Sequence, residues 1–101
     1  MIIYNVTTKV QQSIANEWLQ WLKKEHVKDI LSTGCFTNYT IVKLLDVDEE
    51  EGPTYAVQYF AESQALYNLY IGKFAPVMRS KAFALWGNKF LSFRSLMQIV
   101  E

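Results

Sequence analysis

The chain contains few of the residues that mark disulfide-rich, metal-binding and nucleotide-binding proteins. Its 101 residues include one cysteine, Cys35, and one histidine, His26. A single cysteine excludes an internal disulfide framework, and no second His or Cys stands at zinc-ligand spacing from His26. The four glycines contain no phosphate-binding loop. We therefore expect neither a metal nor a cofactor.

Long apolar stretches are missing as well. No apolar run approaches the roughly 20 residues that a membrane span requires. The first residues, Met1 to Tyr4, enter an apolar stretch without the basic region that opens a signal peptide. We therefore expect a cytoplasmic protein without a membrane partner.

Charge is balanced overall but unevenly distributed. Ten basic residues stand against ten acidic ones, and five of the acids lie within residues 46–51. This acidic run lacks the spacing of a calcium loop and precedes Gly52 and Pro53, which favours a solvated turn between two strands. The basic residues are scattered and form no stripe, so we expect no nucleic-acid partner.

The residues that are present predict a folded α+β domain. Half of them are apolar and 15% are aromatic, which is typical of one packed domain over residues 1–101. Helical periodicity predicts a helix from Ser13, which can cap it, to Leu31, with Gly34 as the stop. β-Branched and aromatic residues predict four strands, over residues 2–10, 36–45, 54–61 and 89–100.

A second helical stretch lies between the third and fourth strands. Ser63 can cap its start. Pro76 has no backbone N–H to donate, so we expect a break near it and a separate helix over residues 76–86, ended by Gly87. The order β-α-β-β-α-β predicts the ferredoxin-like arrangement, a four-stranded antiparallel sheet with helices on one face.

Both faces of this predicted sheet are apolar. The fourth strand presents Phe90 and Leu96 on one side, and Leu91, Phe93 and Met97 on the other. The helices of so short a chain cover only one face, and a large exposed apolar face usually marks an interface. We therefore expect a homodimer in which two sheets pack face to face.

With this strand order, the chain resembles the dimeric α+β barrel superfamily, which includes antibiotic-biosynthesis-type monooxygenases. Residues 59–67 (YFAESQALY) are similar to the strand–Ser–x–Ala–aromatic entry to the second helix in those proteins. More closely, the chain resembles a family of bacterial proteins of about this length and unknown function. That resemblance rests on residues 18–21 (WLQW) with His26, residues 33–36 (TGCF) and residues 56–60 (AVQYF).

The superfamily resemblance also allows a test for haem degradation. Haem-degrading members use an Asn on the first strand and a Trp and a His on the second helix. Asn5 matches the first of these positions, but an ungapped alignment from Ser63 places Leu69 and Arg79 at the other two. Because the set is incomplete, the resemblance does not imply that activity.

Four residues are the candidate ligand-binding set: Asn5, His26, Tyr59 and Arg94. His26 lies on the apolar arc of the first helix with Asp29 three residues later, which makes it the candidate general base. Asn5 and Arg94 are polar residues within strands and require partners. The structural alternative for His26 is a histidine at the edge of the core that makes one hydrogen bond. The alternative for Asn5 and Arg94 is a polar network within one subunit or between subunits.

Three functions stay open. The first is a homodimer that binds a small organic ligand between sheet and helices, with cofactor-free monooxygenase or isomerase activity as its enzymatic form. The second is a non-catalytic dimerisation module whose aromatic core fills that space. The third is RNA binding, which the acidic, proline-containing entry to the third strand disfavours. We favour the first.

Overall fold

The computed structural model describes residues 1–101 and contains one antiparallel sheet of four strands. The strand order across the sheet is β2-β3-β1-β4, which confirms the ferredoxin-like arrangement. The strands are β1 (Ile2–Val10), β2 (Asn38–Lys43), β3 (Thr54–Ala61) and β4 (Phe90–Gln98). The predicted second strand is shorter than expected, because Phe36 lies in the connection before the sheet rather than in it.

Two irregular helical segments cover one face of the sheet. The first segment, residues 12–31, consists of a 3-10 turn (Gln12–Ile14), α1 (Ala15–Trp21), a π-helical turn (Leu22–His26) and α2 (Val27–Leu31). The second segment, residues 64–86, consists of α3 (Gln64–Leu69), a π-helical turn (Tyr70–Phe74) and α4 (Ala75–Trp86). Neither is long and apolar enough to cross a membrane.

Pro76 lies in the first turn of α4, as predicted. The chain does not leave the helical path before it, since the π-helical turn joins α3 directly to α4. A proline cannot donate the hydrogen bond of a regular helix, and Pro76 stands where the π-helical turn meets α4. The interruption predicted near Pro76 is therefore a change in helix type.

The helix ends show which predicted caps form. The Ser63 hydroxyl accepts a hydrogen bond of 3.2 Å from the Leu66 N–H, and so caps α3. Gly87 ends α4 with a φ of 59°, and its N–H donates to the Phe83 carbonyl. Ser13 makes no capping hydrogen bond. It lies inside the 3-10 turn, whose N-cap residue is Gln11.

The hydrophobic core lies between the helical segments and one face of the sheet. On β1 that face carries the even-numbered residues, so Tyr4 stands opposite Tyr59 of β3 and Leu96 of β4. The Tyr4 ring packs against Tyr59 and Phe36 with ring centroids 6.0 and 6.1 Å apart. An aromatic cluster therefore fills the centre of this layer.

The other face of the sheet has no cover within the chain. Phe93 is 64% exposed and Leu91 59% exposed on this face of β4. The molecule is only 19 Å across in its shortest dimension, which corresponds to one layer of helices on one sheet. Apolar residues therefore lie on both faces of β4, as predicted, whereas the uncovered face of the neighbouring β1 carries Asn5, Thr7 and Lys9.

The acidic run forms the exposed connection between β2 and β3, as predicted. Glu49 lies 3.2 Å from Lys43 Nζ across this turn. Gly52 comes next with a φ of 150°, and a Cβ at this position would overlap the Val10 carbonyl oxygen. The turn therefore requires glycine where the chain returns to the sheet.

Candidate functional site

A cavity of about 90 Å³ lies between the sheet and the helices. Its walls are mainly apolar and aromatic, and strands β1, β3 and β4 and both helical segments contribute to it. Its polar side chains include His26 and Arg79 from the helices and Tyr4, Tyr59 and Arg94 from the sheet. Three of the four predicted ligand-binding residues, His26, Tyr59 and Arg94, therefore share one cavity.

Asn5, the fourth, lies on the opposite face of the sheet. Asn5 pairs with Ser95 across β1 and β4, whereas Arg94 pairs with Val6, the next residue along β1. Because successive side chains of a strand point to opposite faces, this register separates Asn5 from Arg94. The Asn5 amide donates instead to the Thr7 hydroxyl at 3.0 Å. The structure therefore does not bring Asn5 into the cavity.

The two π-helical turns supply polar groups to the cavity wall. His26 ends the first of these turns and Tyr70 begins the second, and both residues line the cavity. A π-helical turn adds a residue to the helix and rotates the next turn about the helix axis, and such turns are frequent at functional sites. Tyr70 is not one of the four residues of the predicted ligand-binding set.

His26 is a neutral imidazole at physiological pH. Burial lowers its pKa to about 4, and the charge of Asp29, which acts in the opposite direction, does not compensate. The imidazole stacks on Trp21 with ring centroids 4.5 Å apart. An imidazole in this state can accept or donate a hydrogen bond, and it can accept a proton from an acidic group.

Asp29 does not orient the imidazole as expected. Its carboxylate pairs with Lys81 Nζ at 3.8 Å, and the structure contains no salt bridge between Asp29 and His26. Lys81 belongs to α4, so this partner comes from the other helical segment. Its positive charge also contributes to the low pKa of His26.

Two arginines converge on the hydroxyl of Tyr4. Arg94 Nε donates to this oxygen at 3.1 Å. Arg79 Nη2 lies 3.5 Å from it, at the long end of hydrogen-bonding distance. Both arginines are exposed residues, whereas Tyr4 is 3% exposed. The two guanidinium groups therefore stand side by side where the cavity meets solvent.

Tyr59 and Tyr70 remain protonated phenols. Burial raises the pKa of each hydroxyl, and the neighbouring Tyr4 raises it further. Arg79 and Arg94 act on the Tyr70 pKa in the opposite direction, with a smaller effect than burial. Both phenols can therefore donate as well as accept hydrogen bonds at neutral pH.

The sequence analysis missed Tyr4 and Arg79 as members of the site. Tyr4 is separated from Arg79 by 75 residues and from Arg94 by 90, so no local pattern joins them. Cys35 is buried and free. No group of three or more His, Cys, Asp or Glu residues is arranged so that it could hold a metal ion.

Solved structures of other proteins share this fold along its whole length. SnoaB, a cofactor-independent oxygenase from Streptomyces nogalater, superposes with a TM-score of 0.70 at 10% identity, covering 99% of this chain and 94% of that one. A dimeric ferredoxin-like protein from an uncultured marine organism superposes with a TM-score of 0.67 at 15% identity. The superposition covers 99% of this chain and 95% of that one. An antibiotic biosynthesis monooxygenase superposes with a TM-score of 0.62 at 12% identity. The superposition covers 98% of this chain and 99% of that one.

At these identities the similarity shows the fold alone, which is the fold predicted from the sequence. The chain matches none of the curated protein sequences. A family model matches residues 1–100. The chain therefore belongs to the family described as Domain of unknown function (DUF4286).

Proposed function

We propose that this protein binds a small organic ligand in the cavity between sheet and helices. The observation that carries the proposal is the convergence of a neutral His26, the Tyr4 hydroxyl and two arginines on a cavity with mainly apolar walls. Ligand sites commonly combine apolar walls with a few convergent polar groups. The cofactor-independent oxygenase SnoaB has the same fold, which supports this use of it.

Cofactor-free catalysis of the oxygenase or isomerase type is the enzymatic form of this proposal. His26 would then accept a proton from the substrate. Because its pKa is about 4, it is a weak base at neutral pH and suits only substrates with a strongly acidic proton. The geometry thus supports ligand binding more directly than catalysis.

The protein is further proposed to be a homodimer. Phe93 and Leu91 lie on the uncovered face of the sheet and are more than half exposed. A structural relative of the same fold is described as a dimeric ferredoxin-like protein. A second copy would cover this apolar face by packing sheet against sheet, while the cavity lies on the helix side.

A fragment screen by thermal shift tests ligand binding. Ala82 is a buried residue of the cavity wall, and Ala84 is an exposed residue of the same helix outside it. We expect some aromatic fragments to raise the melting temperature of the wild-type protein and of Ala84→Leu. Ala82→Leu should lose these shifts because the larger side chain fills the cavity.

The His26→Ala variant gives a second measurement in the same screen, and it should lose fragment shifts without losing the dimer. A wild-type protein that no fragment stabilises would contradict the proposal. The dimerisation module with a filled core would then be the remaining function.

A further inference from the structure

We propose that the ligand of this cavity is a small organic anion whose carboxylate is held by Arg79, Arg94 and the Tyr4 hydroxyl. This inference rests on the proposed ligand-binding function and names the chemical class of the ligand. The charges at the cavity, the hydrogen-bond donors that remain free there and the cavity volume all support it.

The two arginines have no anionic partner in the chain. The salt bridges of the structure join Lys9 to Glu51, Lys43 to Glu49 and Lys81 to Asp29, and none includes an arginine. The lining of the cavity contains both arginines and no Asp or Glu. Two like charges held against one oxygen repel each other, and a bound anion would relieve this repulsion.

Most donors of the two guanidinium groups are unused. Each guanidinium has five N–H donors in a planar fork, and the contact with Tyr4 takes one from each. The Tyr4 oxygen accepts both contacts, which leaves its own proton free to donate. A carboxylate has two acceptor oxygens in a plane, and the guanidinium fork matches that geometry.

His26, Tyr59 and Tyr70 add no charge of either sign to the cavity at neutral pH. His26 is neutral because burial lowers its pKa to about 4. Tyr59 and Tyr70 keep their protons because burial raises the pKa of each phenol. The cavity therefore carries the positive charge of its arginines alone, next to walls such as Trp21 and Met78 that favour an apolar group.

The volume limits the size of the ligand. At about 90 Å³, the cavity is smaller than the 300–1,000 Å³ typical of drug-sized ligands. An engineered cavity of about 150 Å³ holds one benzene molecule. The apolar part of the ligand is therefore a short acyl chain or part of a single ring, with the carboxylate at the exposed arginines.

The test compares matched anionic and neutral probes by NMR titration of the backbone amides and the tryptophan indoles. Benzoate and hexanoate are the anionic probes, and benzamide and hexanamide are neutral probes of the same shape. We expect the wild-type protein to bind each carboxylate about tenfold more tightly than its amide at low salt. This preference should shrink as salt is added, because the arginines are exposed.

Variants of the two arginines test whether these residues cause the preference for carboxylates over amides. Arg94→Gln should reduce carboxylate binding about tenfold and leave amide binding unchanged. Lys89→Gln removes the same charge from an exposed residue outside the cavity. It should change neither carboxylate binding nor amide binding. Should Arg94→Gln fail to fold, Arg79→Gln makes the same comparison from α4, with each variant's fold checked by thermal melting.

The outcomes separate this inference from the function on which it rests. Equal binding of carboxylates and amides, unchanged in Arg94→Gln, would overturn the anion assignment and leave ligand binding intact. Binding of the amides without binding of the carboxylates would also overturn the anion assignment and leave ligand binding intact. If neither series binds the wild-type protein, ligand binding itself is overturned together with the anion assignment.

Discussion

His26 shows at the scale of one residue how its surroundings change its chemistry. In water an imidazole is half protonated near pH 6.5, but here burial lowers its pKa to about 4. Asp29 three residues later would stabilise the protonated form, yet it is paired with Lys81. The residue is therefore a neutral imidazole in the cavity wall at physiological pH.

Protein stability should depend on this residue between about pH 6.5 and about pH 4. The unfolded chain binds a proton on His26 near pH 6.5, whereas the folded chain does so only near pH 4. Stability therefore falls as the pH is lowered through this window, by on the order of 2 kcal/mol for this residue. Chemical denaturation of the wild-type protein and of His26→Gln at several pH values measures the effect.

The variant lacks the titrating group, so the difference in unfolding free energy between the two proteins isolates the contribution of His26. An NMR titration of the imidazole protons gives the folded-state pKa independently. A midpoint near 6.5 in the folded protein would contradict both the burial argument and the predicted pH dependence.

At the scale of one element, the start of α3 depends on a single side chain. The Ser63 hydroxyl accepts the Leu66 N–H, one of the donors that a helix start leaves without an internal partner. The sequence gives Ser13 the same apparent role before the first helical segment. In the structure Ser13 is exposed within the 3-10 turn and makes no capping bond.

The two serines should therefore differ when each is replaced by alanine. Ser63→Ala should lower the free energy of unfolding by about 1 kcal/mol, because it leaves the Leu66 N–H without its partner. Ser13→Ala should change it by less than about 0.5 kcal/mol, as expected for a surface substitution. Urea denaturation measures both values, and equal losses would contradict the assignment of the cap.

At the scale of the whole molecule, the sheet separates two surfaces with different roles. Its helix-facing side carries the aromatic core and the cavity, and its other side exposes apolar residues of β4. A 101-residue chain supplies only one layer of helices. The uncovered side is where the proposed second copy would pack, so dimer formation and ligand binding would use opposite faces.

Two phenylalanines with the same exposure test this assembly. Phe93 lies on the uncovered sheet face and Phe83 on α4, and each is 64% exposed. Phe93→Glu should give a monomer of 11.8 kDa in light scattering, because a buried unpaired carboxylate opposes sheet packing. Phe83→Glu should remain a dimer and should therefore give twice that mass in light scattering. A wild-type monomer at micromolar concentration would contradict the dimer.

The sequence by itself determined the order of the elements and most of their ends. Strand β3 was predicted over the residues it occupies, and Ser63, Pro76 and Gly87 have the expected roles at helix ends. Each of these features depends on residues within a few positions along the chain. Alternating strand patterns likewise record which residues share a face, so the apolar residues on both faces of β4 were predictable.

Only the tertiary structure decided which polar residues meet. A shift of one residue in the register of β1 and β4 would place Asn5 and Arg94 on the same face of the sheet, and no local pattern fixes that register. The convergence of Arg79 and Arg94 on Tyr4 joins positions 75 and 90 residues apart. Such contacts and the pKa of a buried His26 depend on packing between elements, and they therefore emerge only when the sheet and helices assemble.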